Sequence, residues 1–143
     1  MSTSASSTFA TATERWLGLR LGSEFEQTVA IERGLPLSAL QTLLRHGVLK
    51  HELFDTVISE RTLKHRTLTG GNLTTAESDK AVRLARVLGQ AERVFGSPEK
   101  ALLWMRQAMH RFGGRTPMQM VSTEAGARLV EEMLIQIDEG IFA

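Results

Sequence analysis

The chain has 143 residues, of which 42% are hydrophobic, and it carries a net charge of +1 and no cysteine. This length and apolar content allow one helical core or two small ones, and the lack of cysteine excludes disulfides and thiolate metal sites. No apolar run approaches the roughly 18 residues of a membrane span, so we expect a cytoplasmic protein without membrane contact.

The first residues, from Met1 to Thr13, are rich in Ser, Thr and Ala. They lack the continuous apolar stretch of a secretory signal. Such a composition is typical of disordered segments, because it offers little apolar surface to bury. We therefore predict that residues 1–23 form a disordered or weakly ordered leader.

Beyond this leader, apolar residues recur at helical spacing, and no stretch alternates with the period of a strand. The sequence therefore predicts an all-α protein. In the first half, the hydroxyl of Ser59 is placed to cap a helix, and Gly70 and Gly71 end the last one. The helices predicted there cover residues 24–32, 37–45, 51–57 and 60–67.

Capping signals divide the second half of the chain. Thr74 and Glu77 have the spacing of a capping box, and the helix that they open ends at Gly96. Its predicted apolar side consists of Ala81, Leu84, Ala85, Leu88, Ala91 and Phe95.

Two further helices follow. Ser97 and Pro98 start one that runs to Gly113, and the last one is predicted from Glu124 to Asp138. The first of these is predicted to bury Ala101, Trp104, Met105, Ala108 and Phe112. The second has an apolar stripe of Leu129, Val130, Met133, Leu134 and Ile137.

Residues 52–63 have the arrangement of a helix-turn-helix, in which a support helix and a turn place a second helix against base edges in DNA. Leu53, Ile58 and Leu63 supply its apolar side. Val57 stands where glycine is common, and helical pairs of this kind are also ordinary structural units, so the spacing alone leaves DNA binding open. The side chains expected at DNA are Ser59, Arg61, Thr62, Lys64, His65 and Arg66.

The charges are unevenly distributed along the chain. Residues 59–123 carry 11 basic and 5 acidic side chains, whereas residues 124–143 carry 1 basic and 5 acidic ones. This distribution would present a positive surface to phosphate and a negative end to a basic partner, although solvated helix faces give the same pattern. One basic stripe is interpreted as such a solvated face, without a site: Lys80, Arg83, Arg86, Gln90 and Arg93.

No group of residues indicates catalysis or metal binding. The histidines do not pair on one helix face beside carboxylates, and the adjacent Glu131 and Glu132 diverge on a helix. We therefore predict no catalytic residue, no cofactor site and no metal site, and a protein that is not an enzyme. The four histidines are His46, His51, His65 and His110.

The last six residues combine acidic and apolar side chains, in the order Asp138, Glu139, Gly140, Ile141, Phe142 and Ala143. An apolar pair beyond a glycine suits insertion into a partner's pocket. Phe142 folding back onto the chain's own core is an equally open reading.

Several motifs between Leu73 and Ile141 resemble, in the same order, the toxin-binding domain of the Xre/MbcA/ParS antitoxins. The motifs are LTTAESDK at 73–80, AVRLARV at 81–87, AERVFG at 91–96, ALLW at 101–104, GGRTP at 113–117 and TEAG at 123–126. The preceding ISERTLKHR at 58–66 is similar to the Xre-like helix-turn-helix that accompanies this domain. On this resemblance, residues 24–70 would form the DNA-binding domain and residues 71–143 the toxin-binding domain.

The resemblance implies a type II antitoxin that inhibits a RES-domain toxin, an enzyme that degrades NAD+. It also implies a homodimer that binds the operator DNA of its own operon and represses transcription. In this family the C-terminal segment blocks the toxin's active site, a role that would fall to Glu139, Gly140, Ile141, Phe142 and Ala143. The alternative is a stand-alone helix-turn-helix repressor or partition-type protein without a toxin partner.

Overall fold

The computed structural model describes residues 9–140, and all regular elements among them are helices, which confirms the all-α class. None of these helices combines the length and the apolar content that crossing a membrane requires. A 3-10 helix at His110–Phe112 lies between the seventh and eighth of the α-helices. The α-helices of the described range are α1 (Ala12–Leu17), α2 (Glu24–Arg33), α3 (Ser38–Arg45), α4 (Lys50–Thr56), α5 (Glu60–Thr69), α6 (Thr75–Phe95), α7 (Pro98–Met105), α8 (Pro117–Met120) and α9 (Glu124–Asp138).

Helix α6 is the centre of the fold, and α1, α2, α7 and α9 pack around it. Its predicted capping box is present: Glu77 N donates to Thr74 Oγ1 at 3.1 Å, and Thr74 N donates to Glu77 Oε1 at 2.9 Å. The predicted apolar side is buried except for Phe95, which is half-buried. Because further residues are buried on its other sides, the middle of α6, residues 81–91, is enclosed rather than amphipathic. These further residues are Ser78, Val82, Arg83, Val87 and Gly89.

The prediction of a disordered leader is wrong for residues 9–23, which are folded and include helix α1. Helix α1 packs so closely on α6 that a Cβ atom added to Gly89 would lie 2.9 Å from Ala12 Cβ. The indole of Trp16 is buried and donates to Glu92 Oε1 at 2.9 Å. Residues 9–23 are therefore folded against the core, because a few large apolar side chains outweigh the polar composition around them. The first eight residues lie outside the described range. The buried residues here are Ala12, Glu14, Trp16, Leu17 and Leu21.

The buried carboxylate of Glu14 holds this segment together. Its Oε1 accepts hydrogen bonds from the backbone N–H groups of Ala10 at 2.8 Å and Thr11 at 3.1 Å. Its Oε2 accepts from those of Leu21 at 2.7 Å and Gly22 at 3.1 Å. Burial raises the pKa of Glu14, but these four bonds lower it by more, so the pKa lies below its ordinary value of 4.5.

Helix α7 begins at Pro98 as predicted but ends at Met105, well before Gly113. Ala108 is consequently exposed and Phe112 half-buried, so these two predicted core positions are wrong. The backbone leaves the helical conformation at Arg106, which has a φ of −99° and a ψ of 6°.

Helix α9 has the predicted bounds, but its buried side is rotated. Leu129 is 50% exposed, and Ala127 is buried instead. Gly126 contacts α8 closely, since a Cβ atom there would lie 1.9 Å from Met120 O. A larger residue would not fit at this position, which favours the observed orientation of the helix.

An ion pair joins α4 to the end of α7. Arg106 Nε donates to Glu52 Oε2 at 2.7 Å, and Arg106 Nη2 donates to Glu52 Oε1 at 2.9 Å and to Gly47 O at 2.8 Å. The Glu52 side chain is 7% exposed and that of Arg106 33%. Burial raises the pKa of Glu52, but the bonds from Arg106 and the Leu49 N–H lower it by more, to below 4.5.

Replacing Glu14 with glutamine should destabilise the fold by about 2 kcal/mol, because an amide nitrogen would face two backbone donors in a buried site. The loss is expected in urea unfolding at pH 7. It should shrink as the pH falls below 4.5, since a carboxylate whose pKa is lowered by folding stabilises only while it is ionised. The exposed Glu132→Gln is the matched control, and an equal loss in both variants would contradict the role of Glu14.

Replacing Arg106 with methionine should cost about 2 kcal/mol of unfolding free energy at pH 7, because it leaves the Glu52 carboxylate buried without its cation. The wild-type pair stabilises fully above pH 4.5 and loses its effect as the pH falls through the lower folded-state pKa of Glu52. The difference between the proteins should therefore narrow at acidic pH. Arg128→Met, on the exposed side of α9, is the control; a loss that does not depend on pH would rule out the carboxylate as its cause.

Candidate functional site

Helices α4 and α5 occupy the position of the predicted helix-turn-helix and are joined by Val57, Ile58 and Ser59. Val57 has a φ of −122°, so the turn requires no glycine at this position. Val57 and Ile58 are both 4% exposed, and Leu53 of α4 is fully buried. The turn is thus fixed by burial of its apolar residues rather than by a left-handed backbone.

Helix α5 presents polar and basic residues to the solvent and contains no buried residue. The Oγ atom of Ser59 caps the helix by accepting a hydrogen bond from Thr62 N at 3.2 Å. Arg61, Lys64 and His65 are exposed, and Thr62 is half-buried. An exposed basic helix of this kind is what contact with DNA phosphates requires. We call Ser59, Arg61, Thr62, Lys64 and His65 the α5 surface.

Arg66 differs from the other residues expected at DNA. Its guanidinium bonds to both carboxylate oxygens of Glu77, with Nη2 3.4 Å from Oε2. The two side chains are 17% and 16% exposed. The expectation that Arg66 is free for DNA is therefore wrong, because it links α5 to the first turn of α6. Burial raises the pKa of Glu77, and the bonds from Arg66 and Thr74 lower it by more, to below 4.5.

The basic stripe of α6 holds α9 in place. Arg83 is 8% exposed and donates to Asp79 Oδ2 at 3.0 Å and to Glu124 Oε1 at 3.2 Å. Arg86 donates from Nε to Glu131 Oε2 at 2.8 Å and from Nη2 to Glu124 Oε2 at 3.4 Å. The interpretation of the stripe as a solvated face is wrong at these positions, because the acidic side of α9 covers it. Only the two ends of the stripe, Lys80 and Arg93, are exposed.

Helix α9 runs parallel to α6. Its first residue, Glu124, bonds to Arg83, and about two turns further along α6 the Gln90 side chain donates to Glu131 O at 3.2 Å. The last turn of α9 therefore points toward the Phe95 end of α6, whereas α5 is bonded to the opposite end. With a rise of 1.5 Å per residue, the ends of this 21-residue helix are roughly 30 Å apart.

The residues expected to bind the toxin follow α9. Glu139 is exposed directly after the helix. Gly140 is also exposed and has a φ of 76°. The other three expected residues, Ile141, Phe142 and Ala143, lie outside the described range.

Within residues 9–140, no three His, Asp or Glu side chains lie close enough together to hold a metal ion. His46 is instead a packing residue: its ring lies 5.5 Å from the Trp16 ring, and its Nε2 is 3.1 Å from Arg15 O. These two contacts explain the position of His46 without a bound metal ion.

Two antitoxin family models match the chain. The Xre-like helix-turn-helix domain of antitoxins matches residues 26–86, and the C-terminal toxin-binding domain of the Xre/MbcA/ParS antitoxins matches residues 90–140. Helix α6 contains the end of the first match and the beginning of the second. The proposed division after residue 70 stays a prediction.

Three curated proteins illustrate the similarity. The antitoxin Xre of Pseudomonas putida is 43% identical over 84% of this chain and 76% of its own length. The antitoxin Xre of Yersinia enterocolitica is 33% identical over 62% of this chain and 60% of its own length. A Sphingobium protein named Prs ADP-ribosylating antitoxin is 26% identical over 85% of this chain and 83% of its own length. With a helix-turn-helix half and a toxin-binding half in the expected order, the chain belongs to the Xre family of antitoxins.

Proposed function

We propose that this chain inhibits a RES-domain toxin by placing its C-terminal segment, Glu139 to Ala143, in the active site where the toxin binds NAD+. The observation that carries the proposal is the fixed position of α9, which Arg83 and Arg86 hold against α6. A segment that leaves a rigid helix pays less conformational entropy on binding than one that leaves a flexible linker. Inhibition of this kind needs no catalysis by this chain.

The proposed inhibition would stop either of two reactions that a toxin can carry out with NAD+. The Sphingobium relative is named for ADP-ribosylation, and ADP-ribosyl transfer uses NAD+ as its donor. Hydrolysis of NAD+ and transfer from it both break the bond between nicotinamide and ribose. A segment that occupies the NAD+ site therefore stops either reaction. We favour NAD+ degradation.

The α5 surface is the proposed contact with operator DNA. We propose that a homodimer places two copies of α5 in successive major grooves of its own operon's promoter and represses transcription in the cytoplasm. Because α5 and the end of α9 lie at opposite ends of α6, one chain can hold toxin and DNA at the same time. The alternative, a stand-alone repressor or partition-type protein, shares the DNA contact but lacks the toxin.

Deleting residues 140–143 should release the toxin while leaving promoter binding unchanged, because the deletion does not reach α5. The test expresses the toxin encoded beside this gene with the full or the shortened chain and follows NAD+ in the cells. NAD+ should fall with the shortened chain only. If the shortened chain still prevents NAD+ loss, the segment is not the inhibitor; if no neighbouring gene product binds the full chain, the stand-alone alternative holds.

Replacing Arg61 with alanine should weaken promoter binding by about 1–3 kcal/mol if Arg61 contacts a base, and by less with a smaller salt dependence if it contacts only a phosphate. Binding is measured by titrating labelled promoter DNA at several salt concentrations. Arg93→Ala is the matched control, since it removes an exposed arginine at the far end of α6. Equal effects of the two substitutions would show that α5 does not form the DNA contact.

A further inference from the structure

Helix α5 has few attachments to the rest of the fold. It contains no buried residue. Of its two leucines, Leu63 is half-buried against the core, whereas Leu68 is 86% exposed. Gly70 and Gly71, which follow the helix, have φ values of 73° and 141° and permit backbone conformations that other residues avoid. Beyond the buried turn that precedes it and the contact of Leu63, α5 therefore has little packing that fixes its angle.

The Arg66–Glu77 ion pair supplies the missing attachment. Arg66 lies in the second half of α5, opposite the Ser59 cap, and Glu77 lies in the first turn of α6. Glu77 is itself held by the capping box, in which its Oε1 accepts the Thr74 N–H at 2.9 Å. The pair thus connects a weakly packed helix to a fixed point on the most buried helix of the fold.

We propose that the Arg66–Glu77 pair is a latch that sets the orientation of α5 and is needed for tight operator binding, although neither side chain contacts DNA. Both are positioning residues. The proposal rests on the proposed DNA contact of α5. Helix-turn-helix recognition depends on placing the second helix within the groove, so a change in its angle removes several contacts at once.

Electrostatics predicts the opposite result, which makes the latch testable. Removing a carboxylate near DNA lowers repulsion with the phosphates, and losing Glu77 for that reason alone would strengthen binding. If Arg66 instead read the DNA directly, removing Glu77 would free it and again strengthen binding. Only the latch predicts that the loss of this negative charge weakens binding.

The decisive variant is Glu77→Gln in the full chain, because glutamine also serves in a capping box and keeps the start of α6 intact. Promoter affinity should fall about tenfold. Arg66→Met should have a similar effect, and the double variant should be no weaker than the weaker single one, as expected of two residues acting as a unit. Thr74→Ala, which alters the cap but leaves the pair, should change affinity little. Unchanged or tighter binding by Glu77→Gln overturns the latch.

A second measurement reports the angle of α5 without DNA. The chain has no cysteine, so spin labels can be attached at Leu68→Cys and Arg93→Cys alone. The distance distribution between the labels should be narrow with the pair intact and broad in the Glu77→Gln background, while toxin neutralisation stays unchanged in that background. A distribution that remains narrow overturns the latch whatever the DNA result. If the unaltered protein binds no promoter, the proposed DNA contact fails, and the label distances still decide whether the pair orients α5.

Discussion

The close packing around helix α6 is the constraint on which the rest of the structure depends. Side chains at its contact points are small, so other helices approach its backbone: Gly89 leaves room for Ala12, and Ala81, Ala85 and Ala91 are completely buried. Dense packing of this kind transmits displacement from one helix to the next. The position of α6 therefore determines where the peripheral helices can lie, and both candidate surfaces stand on peripheral helices.

Apolar burial stabilises this core, but ion pairs orient what surrounds it. Arg106 and Glu52 join α7 to α4, Arg66 joins α5 to α6, and the arginines of α6 join it to α9. An arginine fork has a fixed geometry toward a carboxylate, which gives each contact an angle as well as an energy. Helix α9 thus has both buried apolar residues and ion pairs to α6, whereas α5 has mainly the Arg66–Glu77 pair.

The sequence was most informative where a signal is local. The capping box at Thr74, the start at Pro98 and both ends of α9 were predicted because caps act within one turn. It was least informative where the outcome depends on a distant partner: the polar composition of residues 9–23 hid the burial of Trp16, and a charged stripe cannot reveal that α9 will cover it. The exposure of the α5 surface followed from spacing, but the engagement of Arg66 did not, since its partner lies eleven residues away on another helix.

Helix α6 passes through both family-matched ranges without interruption, and this continuity has a thermodynamic consequence. Both halves of the chain pack on α6, so unfolding of either half would expose part of a helix that the other half needs. We therefore expect the chain to unfold as one cooperative unit. A partner that binds only the folded state at one end then raises the free energy of unfolding of the whole chain. Toxin bound beyond α9 would in this way also lower the population of opened states around α4 and α5.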